Sequence, residues 1–319
     1  MKEIGGYYDL EFSNIELGNL HSSAIKLNSG RYGLDYLIKA NKYKRIYVPY
    51  YICEVIYEPL RANNVAYEFY HVNEQMEPVE IPHIKDDEAF LYLNNFGLKN
   101  DYITRLAGKV KNLIVDNCQA LFADAVPGID TFYSLRKFVG VPDGAFLYSN
   151  KKLKGDLPHY DSSITIDHLY KRGNVTANAG FMQFRENELK LTHIGLGQMS
   201  VTTQKFIKTY DFEKHKLIRD RNFLFLHHYL GKHNEFGIID PAAVCGPLYY
   251  PFLVSSKTLK HALVSHKVYV STLFPDITKA VPADSYENYL AHHLLRLPVD
   301  QRYCIADMQR ILDLIEKHL

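Results

Sequence analysis

Residues 112–149, NLIVDNCQALFADAVPGIDTFYSLRKFVGVPDGAFLYS, constrain this chain more than any other stretch. Asn112 to Val115 is a short apolar run that stops at a carboxylate, Asp116, with Gln119 three residues on. A second run, Asp130 to Tyr133, delivers Ser134 and Lys137, and a third, Ala145 to Tyr148, follows a Val-Pro-Asp-Gly turn ending at Gly144. Short apolar runs bounded by Asn, Asp, Pro and Gly predict buried strands. Polar residues at the ends of such strands are where open α/β sheets place their chemistry. Taken singly, a lysine is usually a solvated surface residue and a strand-terminal Asp a turn former. Taken in order, Asp-x-x-Gln, Ser-x-x-Lys and a Gly before an apolar strand offer an acid, an amide, a hydroxyl and an amine from neighbouring strand ends.

That set has a specific use. Pyridoxal 5′-phosphate (PLP) needs a lysine amine for its Schiff base and an acid for its pyridine nitrogen. Its phosphate needs hydroxyls and backbone N–H groups. The expected assignment is Lys137 on the aldehyde carbon, Asp116 on the ring nitrogen, Gln119 on the ring hydroxyl and Ser134 on the phosphate. Upstream, Asn28-Ser29-Gly30 opens a predicted helix to about Asn41. Free N–H groups at its start would receive the same phosphate through Ser29, Gly30 and Arg31; out of context the tripeptide is ordinary N-capping.

These segments resemble the DegT/DnrJ/EryC1/StrS family of fold-type I PLP-dependent sugar aminotransferases. VDNCQALFAD resembles the family's Asp-x-x-Gln segment, and SLRKFVGVPDGAFLYS its Ser…Lys…Gly-Gly-hydrophobic segment. LNSGRYGLDYLIKA resembles the phosphate-binding helix start, RIYVPYYICEVIYEPLRANNVAYEFYHVN a strand-helix-strand unit, and LLRLPVDQRYCIADMQRILDLI the closing Leu-Pro segment and last helix. The resemblance is diffuse and runs in order through most of the chain. It implies a mainly parallel central sheet sandwiched by helices, a small C-terminal α+β domain, and a homodimer. It also implies transfer of an amino group from an amino acid, glutamate by analogy, to a nucleotide-linked keto sugar of surface polysaccharide or cell-envelope biosynthesis. The aromatic that lies against the PLP ring in the family falls near Cys53, which leaves Tyr51 or Tyr50 to stack. Departures are the short Ser134-to-Lys137 spacing and the missing Asn-x-Arg stretch, for which His193 is a substitute. They mark a divergent branch and leave open a PLP reaction of another type, a lyase or dehydratase, or a degenerate paralogue with a binding or regulatory role.

The rest of the chain sets the frame. Alternating strands (45–49, 65–72, 88–93, 113–115) and helices (102–110) predict a parallel α/β sheet. Asn94 and Asn95, in a loop at a strand end, are candidate substrate contacts or simple turn formers. Residues 1–27 read as an irregular arm, 151–198 as a less regular polar crossing, and 199–230 as a linker helix. The domains expected are 1–235, which binds PLP, and a small unit of strands and helices at 236–319. A net charge of +1 with 23% charged residues gives no electrostatic case for nucleic acid or an anionic membrane. Four cysteines without paired spacing argue against zinc or a disulfide framework and for a reducing cytoplasm. The start shows no signal core, and no apolar run is long enough to span a bilayer. No metal site is expected: His227-His228 and His292-His293 are helix neighbours that diverge by about 100°.

Overall fold

The apolar runs fold into one seven-stranded sheet and two two-stranded ribbons. The computed structural model describes residues 4–5, 17, 20–270 and 274–319, with Ala177 and Pro275 by backbone alone. Its strands are β1 (Ile4–Gly5), β2 (Ile25–Leu27), β3 (Arg45–Pro49), β4 (Ala66–Tyr70), β5 (Glu88–Leu93), β6 (Leu113–Asp116), β7 (Asp130–Ser134), β8 (Ala145–Tyr148), β9 (Tyr249–Leu253), β10 (Val268–Tyr269) and β11 (Leu294–Pro298). The helices are α1 (Gly30–Asn41), α2 (Tyr57–Ala62), α3 (Asn100–Ala107), α4 (Asp167–Asn174), α5 (Ala177–His193), α6 (Val201–Lys208), α7 (Phe212–Leu230), α8 (Leu259–Ser265), α9 (Tyr286–His293) and α10 (Ile305–Glu316).

The large sheet runs β2-β8-β7-β6-β5-β3-β4, with β4, β3, β5, β6 and β7 parallel, β8 antiparallel to β7, and edge strand β2 antiparallel to β8. Period-two alternation sends its side chains into two cores. Ala89, Leu91, Leu93 and Ile114 meet Leu34, Leu37 and Ile38 of α1 on one face. Phe90, Tyr92, Leu113 and Val115 meet Ile103 and Leu106 of α3 on the other, together with Phe236, Leu253 and Leu290 from the C-terminal part. Parallel strands joined by crossover helices all end at the same edge, so Asp116 and Ser134 are delivered side by side. Helix α1 lies close on β7 because a Cβ at Gly33 would come within 2.7 Å of Phe132 Cβ.

In the C-terminal part, β9 pairs antiparallel with β11. Phe223, Tyr250, Phe252, Leu297, Met308 and Ile311 form its core. Strand β1 joins this layer, pairing parallel with β10 and burying Ile4 in the same core.

Three expectations differ from the structure. Residues 151–198 are not irregular: they hold α4 and α5, whose packed faces include Asn187 and His168, both buried. Polar groups on the buried face erased the apolar periodicity that would have announced the helices. The helix expected over 199–230 breaks after Lys208 and restarts at Phe212, where the Asp211 carboxylate caps α7 by accepting from Lys214 N at 3.0 Å. Finally, the described end of the arm expected at 1–27 is ordered, because β2 closes the sheet edge against β8; most of the rest of that arm lies outside the described residues. Among the described residues no helix is long and apolar enough to cross a membrane.

Candidate active site

Four elements converge on Lys137. Strand β6 ends on Asp116 and β7 on Ser134, after which a 3-10 turn over Leu135–Lys137 turns the lysine into the cleft. Leu135 N donates to Gly144 O at 3.1 Å, which pins the start of this turn. Gly144 has φ +128, and a Cβ there would sit 3.0 Å from Leu135, so the position requires glycine. The Lys137 side chain remains solvent-accessible although protein surrounds its other sides. Burial alone would lower its ammonium, but the opposing charges of Cys118, Asp116, Cys53 and Tyr249 outweigh that and hold its pKa above the ordinary lysine value.

Asp116 is buried, and burial raises its carboxyl. The Lys137 charge and the Cys118 N–H, which donates to Asp116 Oδ1 at 2.8 Å, only partly offset this. A buried carboxylate with incomplete compensation favours an incoming cation. Gln119 is buried too; its Oε1 accepts from Phe96 N at 3.1 Å, and its amide hydrogens are committed to nothing among the described residues.

The N-terminus of α1 abuts this cluster. A Cβ on Gly30 would lie 2.9 Å from Cys118 Sγ and 3.5 Å from Ser134 Cβ, so a bare backbone faces the lysine turn. Ser29 is the N-cap residue in extended conformation, yet its hydroxyl caps nothing. The Ser134 hydroxyl likewise makes no hydrogen bond among the described residues. Two free hydroxyls beside the open N–H groups of a twelve-residue helix make an anion cradle.

Arg31 turns its guanidinium away from that cradle. Its Nη1 donates to Glu58 Oε2 at 2.5 Å and to Thr192 Oγ1 at 2.8 Å, so its backbone N–H is what faces the helix end. Tyr51 is wholly buried, with its ring edge-on to Phe274 at 5.0 Å, and Tyr50 stacks on Phe69 at 4.7 Å. Cys53, by contrast, lies within electrostatic reach of both Lys137 and Cys118. Asn94 spends both amide hydrogens on Asn100 and Asn117, at 2.8 and 2.9 Å, and its oxygen on Lys99 N. Asn95 donates to Leu93 O at 3.2 Å. Both asparagines thus shape the left-handed turn at Phe96 and Gly97. His193 is exposed at the end of α5.

The structure adds residues that the chain order did not announce. Tyr249, at the start of β9, acts on Lys137 from the C-terminal side, with the Arg296 guanidinium 4.9 Å over its ring. Cys118 falls inside the Asp116-to-Gln119 segment, which was the available signal; Tyr249 had none, since it stands more than a hundred residues beyond Lys137 and is brought in by packing of the C-terminal part against the large sheet. Arg136, next to Lys137, pairs with Glu188 of α5. Burial would raise the Glu188 carboxyl, but Arg136 and Arg31 hold it below its usual value. A separate cavity of about 760 Å³, lined by Glu74, Glu235, Asp284, Tyr286 and Tyr289 among others, shares no residue with the Lys137 cleft.

No protein-family model matches the chain, and no curated protein sequence does. Solved structures do match. Helicobacter pylori PseC, an aminotransferase involved in the biosynthesis of pseudoaminic acid, superposes with a TM-score of 0.65 at 11% identity over 99% of each chain. A DegT DnrJ EryC1 StrS aminotransferase from Brucella abortus gives 0.61 at 14% identity, over 92% of this chain and 86% of that one. E. coli GDP-4-keto-6-deoxy-D-mannose-3-dehydratase, solved with hydrated PLP, gives 0.60 at 14% identity over 91% and 87%. The chain has the fold of these proteins, fold-type I of the PLP-dependent transferases. At such identities the likeness is one of fold.

Proposed function

We propose that the protein is a PLP-dependent aminotransferase that moves an amino group from an amino acid, glutamate first, to a keto acceptor. The acceptor in this reading is a nucleotide-linked keto sugar of surface polysaccharide or cell-envelope biosynthesis. One observation carries the proposal: an accessible Lys137 amine beside a buried, undercompensated Asp116 and an uncapped helix start. The donor set fits the cofactor. Ser29, Ser134 and the N–H groups of Gly30 and Arg31 would hold its phosphate, Asp116 its ring nitrogen, Gln119 its ring hydroxyl and Lys137 its aldehyde carbon. Cys53 and Cys118 would flank the ring.

When bound, PLP supplies an electron sink for negative charge developing at the donor Cα. Asp116 keeps the ring nitrogen cationic, which an amide at this position would not do. Lys137 takes the proton from the donor Cα and returns it to the cofactor carbon, as base and then acid. A cation seated at Asp116 also withdraws part of the negative field that holds Lys137 protonated, which frees the amine to act as a base. The cofactor would sit between the large unit, 1–235, and the small one, 236–319, which contributes Tyr249. The fold shared with the E. coli dehydratase supports lyase chemistry as the second reading, and the retained lysine favours transamination over it.

Adding PLP to the purified protein should produce a visible absorption band that glutamate bleaches. A band inert to every amino acid favours the lyase reading, and no band at all removes the enzyme.

The same reading makes the protein a cytoplasmic homodimer. Apolar side chains stand exposed on the α4–α5 hairpin, Val175 at 67% and Leu189 at 68%, beside the Arg136–Glu188 pair that reaches the lysine turn. Light scattering at micromolar concentration should give twice the chain mass. A monomer that binds PLP fully would overturn the dimer.

A further inference from the structure

We propose that Arg219 and Gln301 are positioning residues for Lys137, acting through the carbonyl of Phe138; this rests on the assignment of Lys137 as the cofactor lysine. Phe138 closes the turn that carries Lys137, its N–H donating to Leu135 O at 2.9 Å. Its own carbonyl accepts from Gln301 Nε2 at 2.8 Å and from Arg219 Nη2 at 3.3 Å. The Arg219 guanidinium also lies over the Phe138 ring at 4.7 Å, so backbone and side chain of that residue are gripped by one group.

Arg219 sits in α7 and is fully buried, a costly place for a guanidinium unless its fork is put to use. Its other arm, Nη1, donates to Pro247 O at 2.9 Å, two residues before Tyr249. One cation therefore spans the floor of the cleft, at Phe138, and its C-terminal wall, at Pro247. The Asp300 carboxylate is paired with Arg302 at 2.8 and 2.9 Å, and the Arg219 charge adds to Arg302 in holding its pKa below the usual value. Gln301 follows Asp300 in sequence, and its Nε2 also reaches Tyr210 OH at 2.8 Å. The loop after β11 thus holds the lysine turn from behind through the Gln301 side chain. Phe138 N is held by Leu135 O and Phe138 O by Gln301 and Arg219, so the two peptide planes that flank Phe138 are fixed, the one after Lys137 among them, and with them the direction in which its amine enters the cleft.

The test separates presenting the amine from shaping the pocket. Pyridoxamine 5′-phosphate has no aldehyde and binds without Lys137. PLP uses it: Nζ bonds to the aldehyde carbon, the C=O bond gives way to C=N, and the oxygen leaves as water. Gln301→Met keeps the side-chain volume and removes the N–H donor at a half-buried site, so the full-length chain should fold. The expected result is about tenfold weaker PLP binding, the size of one lost hydrogen bond, with pyridoxamine 5′-phosphate bound as in the wild type. Arg219→Lys, which keeps the charge but loses the fork, should shift the same ratio further in the same direction. Equal weakening of both ligands would show a merely structural contact and overturn the proposal, as would no change in either. A wild-type protein that binds neither ligand removes the cofactor reading itself, visibly before any substitution is made, and the proposal falls with it.

Discussion

Lys137→Ala yields a folded protein that develops no lysine-linked absorption band with PLP and loses activity by about 10²–10⁴-fold, the contribution of a positioned acid–base group. The lysine is accessible and anchors no hydrogen bond among the described residues, so its removal opens no cavity, and the thermal midpoint at neutral pH should fall only modestly, through loss of the charge that partly offsets Asp116. The cradle at Ser29, Gly30 and Ser134 is untouched, so pyridoxamine 5′-phosphate should still bind. A variant that keeps both its band and its turnover would show that another amine does the work, and would overturn the site.

Asp116→Asn is the second large effect, and it moves stability and activity in opposite directions. Asn keeps an oxygen for the Cys118 N–H but supplies no charge to the ring nitrogen, so turnover should fall by about 10²–10³-fold, as when one electrostatic stabiliser is lost. The pKa of Asp116 in the folded chain is raised, above all by burial, so its ionised form costs stability at neutral pH. Without cofactor the Asn variant should therefore be more stable than the wild type at pH 7. The gap should close as the pH drops below the ordinary aspartate range, where both side chains are neutral. Urea unfolding at two pH values checks this; a variant less stable than the wild type at pH 7 would mean that the Asp116 charge is already well compensated by Lys137.

The strands around the site were legible because each is a short apolar run cut off by a turn former. Runs ending at Asp116 and Ser134 need no tertiary information to be placed at strand ends. Periodicity failed where burial is polar. Asn187 and His168 hide the inner face of the α4–α5 hairpin, and Asp211 starts a new helix inside what reads as one. Side-chain direction was less legible still. The chain order put Arg31, Asn94 and Asn95 at the right ends of the right elements, but Arg31 Nη1 is committed to Glu58 and Thr192, the Asn94 amide nitrogen to Asn100 and Asn117, and the Asn95 amide nitrogen to Leu93 O.

What the sequence determined by itself is the order of the chemistry: an acid, an amide, a hydroxyl and an amine on successive strand ends, with a glycine-opened helix upstream. Local propensity and period-two burial suffice for that, because they depend on neighbours in the chain. Tertiary structure alone decided which groups face Lys137 and what stands behind it. Cys53, Tyr249, Arg219 and Gln301 come from segments far apart in sequence, and only the packing of α7 and the β9–β11 ribbon against the large sheet brings them to one turn.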